Sequence, residues 1–294
     1  MQRVKYWLMA FRPKTLTAAI VPIIATTALV HSLSYPIQWW ISVCALLASI
    51  FIQIGTNLIN DAVDFKKGAD NEKRIGPQRV TQSGIFSAKE VMIVGTVFFI
   101  LAILLGIPLV IKGGWPIVMI GLVSVLFGYA YTAGPFPLAY LGLGDIFVVF
   151  FFGFVAVGGL YFLQTQDLSL GALVLGLQIG LHCAVLIAIN NLRDVDGDVL
   201  VHKKTLPVRF GKKFARFEIA ALCFIPFLLQ LYWLQNGFIL AALLPFISLP
   251  LALRIVKLVF FNEPGPAYNG YLAQAAGLHL FFGIMISVGL VLRG

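Results

Sequence analysis

The chain is expected to fold as an all-α, multi-pass transmembrane helix bundle, one integral membrane domain over 1–294. Three observations predict this: long apolar runs, scarce charge, and basic residues gathered into alternate loops. Hydrophobic residues make up 60% of the chain and charged residues 11%, so lipid is the solvent that suits this composition. The apolar runs are long enough to cross a hydrocarbon core of about 30 Å as helices, and too long for barrel strands. Helices also satisfy every backbone hydrogen bond internally, as lipid demands.

About nine spans follow, at 16–33, 38–62, 88–111, 115–133, 138–163, 169–193, 214–235, 237–261 and 268–292. The first is preceded by Arg3, Lys5, Arg12 and Lys14. It lacks a small-residue cleavage site, so it reads as a retained span and not a signal peptide. The second and sixth lead into the two longest polar stretches, about 63–87 and 194–213. The others are joined by short connections, and the ninth closes the bundle. With the N-terminus on the cytoplasmic side, 19 of the 21 Lys and Arg fall on the inner face, and only Lys112 and Arg293 fall outside. That asymmetry is the positive-inside pattern, which a missed span in the middle of the chain would scramble. The net charge of +9 is therefore a topology signal and excludes a nucleic-acid partner. The expected location is the cell (inner) membrane, in contact with the lipid bilayer, with the N-terminus and both polar loops cytoplasmic. Cys44, Cys183 and Cys223 have no CxxC spacing, so neither a disulfide framework nor a thiolate metal site is indicated.

Two polar clusters repeat at an offset of 130 residues. Asn60, Asp64, Lys73, Pro77 and Arg79 recur as Asn190, Asp194, Lys203, Pro207 and Arg209; Arg74 is matched by Lys204, and only Asp61 and Asn191 differ in kind. The register marks an internal duplication, with related halves of four spans each at about 12–133 and 138–261. Gln53, Asn57, Asn60 and Asp64 share one face of the second span, and Asn190, Asp194 and Asp198 form a similar stripe at the end of the sixth. Polar groups at such depth are costly in lipid and face a bundle interior or a wet cavity. The two stripes are therefore expected to oppose each other.

Both spans run inward in this topology, so the carboxylates gather at helix C-termini, where the backbone dipole is already negative. Asp61, Asp64, Asp70, Asp194, Asp196 and Asp198 would repel one another there unless cations intervene. Hard oxygen donors of this kind suit Mg²⁺, which commonly takes a few carboxylates and completes its shell with phosphate oxygens. A surrounding ring of Lys73, Arg74, Arg79, Lys203, Lys204 and Arg209 then fits a diphosphate.

These residues carry a family resemblance. Asn60-Asp61-Ala62-Val63-Asp64, with Gly68-Ala69-Asp70-Asn71 and Arg74-Ile75-Gly76-Pro77, resembles the first aspartate-rich motif of the UbiA-type intramembrane prenyltransferases. Asn191-Leu192-Arg193-Asp194, ending at Asp198, is similar to their second motif. Arg12-Pro13-Lys14-Thr15-Leu16, Tyr131-Thr132-Ala133-Gly134-Pro135 and Leu141-Gly142-Leu143-Gly144-Asp145 resemble the branch that prenylates 1,4-dihydroxy-2-naphthoate in menaquinone synthesis. The resemblance covers essentially the whole chain.

It implies an Mg²⁺-dependent transfer of a polyprenyl group from polyprenyl diphosphate to 1,4-dihydroxy-2-naphthoate, with decarboxylation to a demethylmenaquinone. It further implies Asn60, Asp61, Asp64, Asp70, Asn191, Asp194 and Asp198 as metal residues. Lys73, Arg74, Arg79, Lys203, Lys204, Arg209, Arg12 and Lys14 become diphosphate contacts, and Tyr131 and Asp145, with Asp64 and Asp194, catalytic ones. Acceptors such as 4-hydroxybenzoate or homogentisate remain open within the same fold. A secondary transporter would also use intramembrane carboxylates and repeats, but usually near the bilayer midplane. Here the clusters lie at one face together with Lys and Arg in register.

Overall fold

The computed structural model describes residues 2–68, 75–133 and 137–292, and the described residues are helical, without strands. A helix that hydropathy did not announce comes first, α1 (Gln2–Phe11). Its Trp7 stacks on Phe86 at 4.2 Å and its Phe11 meets Phe98 edge-on, while Arg3 and Lys5 stay exposed. Arg12 adopts a left-handed backbone (φ 52) and Pro13 opens a 3-10 turn, so the N-terminal segment bends by 51° into α2 (Thr17–Ser32).

Nine further helices follow: α3 (Trp39–Lys66), α4 (Ala88–Gly113), α5 (Trp115–Ala130), α6 (Gly144–Thr165), α7 (Leu170–Arg193), the short α8 (Val195–Leu200), α9 (Leu206–Gln235), α10 (Ile239–Phe261) and α11 (Tyr268–Leu292). Seven of them are long and apolar enough to cross a membrane. With the bent first segment and the 16-residue α5, each of the nine expected spans has its helix. The chain is an integral membrane helix bundle.

Local sequence sets the helix starts. Ser87 and Glu90 form a reciprocal capping box at α4, with Glu90 N–H donating to Ser87 Oγ (3.2 Å) and Ser87 N–H to Glu90 Oε2 (2.8 Å). Ser169 caps α7 by accepting from Ala172 N–H at 3.1 Å.

Three boundaries differ from the sequence expectation. The second span continues through Asp64 to Lys66, which puts Asn60, Asp61 and Asp64 inside its last turns. The fifth begins at Gly144 and not at 138, because Pro137 and the positive-φ Gly142 (φ 71) bend the apolar stretch between them into turns. The seventh begins at Leu206 and breaks at Gly211 (φ 86), a backbone angle open to glycine.

In lipid the hydrocarbon tails are as apolar as leucine, so helices associate through close packing. α3 and α4 show how. A Cβ on Gly55 would lie 3.1 Å from the Gly95 carbonyl oxygen, and one on Gly95 would lie 3.3 Å from that of Gly55, so the two backbones approach where neither carries a side chain. The largest buried cluster joins α2, α6, α7, α9, α10 and α11. By contrast α5 buries only Ile117. It forms a thin wall along a large interior space.

Candidate active site

That space is a cavity of about 1120 Å³ between α2, α3, α4, α5, α6 and α7. Most of its wall is hydrocarbon, including Ile107, Val110, Val118, Leu122, Phe151 and Val155. One end is polar. Arg12, Lys14, Asn60, Asp61, Asp64, Arg79, Tyr131, Thr132, Asn190, Asn191, Arg193, Asp194 and Lys203 line it. The two stripes expected to oppose each other thus share one chamber.

The first cluster is held mainly by neutral donors. The Thr132 hydroxyl donates to Asn60 Oδ1 at 2.6 Å and the Tyr140 hydroxyl to Asp64 Oδ1 at 3.0 Å. Arg79 lies 3.9 Å from Asp64 Oδ2, a long ion pair. Asp61 accepts a short hydrogen bond from the Thr81 hydroxyl, which ties the end of α3 to the following turn. Asn57 donates to the Phe11 carbonyl and the Thr15 hydroxyl, both at 3.0 Å, and Arg12 reaches the Asn57 carbonyl at 3.4 Å. The α1–α2 bend is thereby fixed against α3.

In the second cluster Arg193, 2% exposed, grips Asp194 with a fork of two bonds, Nε to Oδ1 at 2.8 Å and a terminal nitrogen to Oδ2 at 2.6 Å. The same guanidinium donates to Asn190 Oδ1 and Asn269 Oδ1, each at 2.8 Å. Asn269 in turn donates to the Ile75 carbonyl at 3.0 Å, which links α11 to the first polar loop. Asn191 donates to Asp145 Oδ2 at 3.3 Å. Asp198 pairs with Lys203 at 3.8 Å and accepts from the Thr205 hydroxyl at 3.4 Å. Burial raises the Asp198 carboxyl to about 6 against the pull of Lys203, and Asp194 and Asp64 push it the same way as burial. Burial also lowers the Lys67 ammonium, which Asp64 opposes and Lys203 reinforces.

Some expected residues lie elsewhere. Asp145 and Asp198 are buried behind the cavity wall. Lys204 is exposed, and Arg209 spends its donors on the Lys204 carbonyl (2.9 Å) and the Leu141 carbonyl (2.7 Å), bracing the loop outside the chamber. Asp196 is on the surface with Lys212 at 3.2 Å. Asp70, Lys73 and Arg74 lie outside the described residues. Among the described residues, no three His, Cys, Asp or Glu side chains converge into a metal-binding group. The donor set at the polar end is carboxylate and amide oxygen, which fits an ion that draws part of its shell from a phosphate ligand.

Five contributors had no role assigned from the sequence: Thr132, Lys67, Tyr140, Arg193 and Asn269. Lys67 donates to the Thr132 carbonyl at 2.8 Å, and its ammonium sits 4.4 Å from the Tyr140 ring centre. Its signal was its place three residues beyond Asp64 on the same helix face. Tyr140 was hidden inside the presumed fifth span.

The UbiA prenyltransferase family matches over residues 19–269. The chain is 32% identical to the 1,4-dihydroxy-2-naphthoate octaprenyltransferase of Haemophilus influenzae, over 99% of this chain and 97% of that protein. Among solved structures it is similar to a UbiA homologue from Aeropyrum pernix, with a TM-score of 0.64 at 17% identity over 95% of this chain and 97% of the other. It is also similar to a UbiA homologue from Archaeoglobus fulgidus bound to GPP and Mg²⁺, with a TM-score of 0.63 at 16% identity over 96% and 99%. Those two likenesses concern the fold.

Proposed function

The chain belongs to the UbiA prenyltransferase family, and on that premise we propose that it transfers a polyprenyl group from polyprenyl diphosphate to 1,4-dihydroxy-2-naphthoate. The acceptor loses its carboxylate as CO₂, and the direct product is the hydroquinone form, a demethylmenaquinol, whose separate oxidation gives demethylmenaquinone. The observation that carries this reading is one continuous cavity with carboxylates and cations at one end and hydrocarbon along the rest. A molecule with a multiply charged head and a long apolar tail fits it. The acceptor is carried over from the full-length relative named for that reaction.

Asn60 and Asp64 from α3 and Asn191 and Asp194 from α7 are the described residues that would hold Mg²⁺, with Asp61 in support and Asp70 added from the first polar loop, while Asp198 acts from behind the wall by pairing with Lys203. Bound Mg²⁺ would neutralise charge on the diphosphate oxygens as they depart. The chain's own part is mostly electrostatic. Lys203 and Arg79 face the chamber from opposite clusters and stabilise the leaving diphosphate, with Arg12 and Lys14 at the mouth and Lys73 and Arg74 in the first polar loop. The allylic cation left behind is kept from water by the hydrocarbon wall. The electron-rich naphthoate ring attacks it, with Tyr131 nearby on the cavity wall to orient the acceptor. Asp145 acts through its bond to Asn191.

The duplicated halves belong to the same proposal, as does a cytoplasmic site: 19 of the 21 basic residues fall on the face that carries both clusters. In nanodiscs with Mg²⁺, polyprenyl diphosphate and dihydroxynaphthoate, mass spectrometry should find a prenylated, decarboxylated quinol or quinone. Product from hydroxybenzoate or homogentisate alone would keep the reaction class and overturn the acceptor.

A further inference from the structure

We infer that Tyr140 is a positioning residue that locks the two polar clusters into one diphosphate-binding array. Its hydroxyl aims Asp64, and its ring gathers the ammonium groups of Lys67 and Lys203. The inference rests on the prenyl diphosphate reading above and adds to it a residue on a loop outside both aspartate-rich motifs.

Among the described residues, a hydroxyl contact and two ring contacts converge on this side chain. Its hydroxyl donates to Asp64 Oδ1 at 3.0 Å. Lys67, just past the end of α3, places its ammonium 4.4 Å from the ring centre, and Lys203, in the turn after α8, places its own at 4.8 Å. An aromatic ring attracts ammonium groups through its quadrupole. Unlike a carboxylate it gathers them without cancelling their charge. Two like charges drawn to one ring repel each other, and Lys203 also pairs with Asp198 at 3.8 Å. A diphosphate would bring negative charge to both ammonium groups at the cavity end where Lys203 lines the wall.

The backbone places the ring independently of these contacts. Lys204 N–H donates to the Tyr140 carbonyl at 2.9 Å, and Arg209 clamps the Leu141 carbonyl at 2.7 Å. At Gly142 (φ 71) a Cβ would collide with the Lys204 carbonyl oxygen, so the loop closes on the second cluster only with glycine there. The loop thus belongs to the second cluster by its backbone and to the first by the Tyr140 hydroxyl.

The test compares Tyr140→Phe with Tyr140→Leu in nanodiscs, reading farnesyl diphosphate binding, the Mg²⁺ concentration for half-maximal activity, and thermal unfolding. Tyr140→Phe keeps the ring, so farnesyl diphosphate binding should stay within about twofold while the Mg²⁺ requirement rises about fivefold. Tyr140→Leu removes both functions and should also weaken farnesyl diphosphate binding about tenfold. Equal losses of unfolding temperature and kcat in both variants, with binding and Mg²⁺ requirement unchanged, would overturn the inference. If Tyr140→Leu fails to fold, the Mg²⁺ requirement of Tyr140→Phe decides alone. Wild-type protein that binds farnesyl diphosphate but makes no prenylated naphthoate would overturn the acceptor reading and leave the binding comparison intact. Wild-type protein that binds no farnesyl diphosphate would overturn both.

Discussion

The ends of α3 and α7 carry the same Asn and Asp in the same register, yet they are held in opposite ways. Asp64 is preceded by Val63, and its nearest partners are a tyrosine hydroxyl at 3.0 Å and a guanidinium at 3.9 Å. Asp194 is preceded by Arg193, which grips both its oxygens at 2.8 and 2.6 Å from a fully buried position. A carboxylate that accepts from a hydroxyl and meets a guanidinium only at 3.9 Å keeps most of its charge available for a cation. One forked to a guanidinium is largely neutralised, although each oxygen retains a lone pair. One substitution in the repeat, Val63 against Arg193, thus separates the two carboxylates: under the proposed function Asp64 would carry the larger share of metal binding, and Asp194 would share it while also tying Arg193 into the bundle.

The sharpest break of that comparison is Asp64→Asn. It should lower product formation by about two to three orders of magnitude, the scale of losing a main electrostatic group at a reacting centre, with little change in thermal unfolding. Asp194→Asn should act first on stability. It leaves the Arg193 guanidinium buried without its counter-charge, a loss of about 3–5 kcal/mol measurable as a lower unfolding midpoint. Adding Arg193→Gln to Asp194→Asn should recover part of that loss, because a buried pair replaced on both sides costs less than one broken on one side.

Lys203→Gln should raise KM for the prenyl diphosphate about tenfold, one unit of charge at a binding site, while Arg209→Gln leaves KM alone and costs about 1 kcal/mol of stability through its carbonyl contacts.

The pH response is the smallest effect. Asp198 sits near 6 in the fold against 3.8 as its ordinary value, so the metal-free fold binds the extra proton between those values and loses stability as pH rises through that window. The unfolding midpoint of the metal-free protein should therefore fall as pH rises from about 4 to about 6, and that part of the fall should vanish in Asp198→Asn. The same fall in wild type and Asp198→Asn would contradict this.

Long apolar runs and one-sided basic loops have strong physical causes, which is why every expected span has a helix and the first polar stripe was legible at its correct face. The second keeps Asn190 and Asp194 at the cavity and loses Asp198, because α7 ends at Arg193 and Asp198 falls on α8. What escaped the sequence reading was decided by contact. Leu138, Ala139, Leu141 and Leu143 are apolar enough to extend a membrane span, and the turn chemistry of Pro137 and Gly142 was outvoted by them, so Tyr140 was placed in lipid. Arg193 and Lys67 looked like topology determinants, since a basic residue at a helix end satisfies the positive-inside pattern whether it points to headgroups or inward. Only tertiary packing tells these apart. The same limit applies in reverse to Arg209, whose register with Arg79 promised a chamber contact and whose guanidinium braces a loop.

The most direct test is Mg²⁺ binding to the purified protein with a non-reacting polyprenyl diphosphate analogue, measured by calorimetry on wild type, Asp64→Asn and Asp194→Asn side by side. The unequal share predicts that Asp64→Asn weakens Mg²⁺ binding at least about tenfold more than Asp194→Asn does, while Asp194→Asn unfolds at the lower temperature. Equal loss of Mg²⁺ binding in the two variants, or the reverse order, would contradict it.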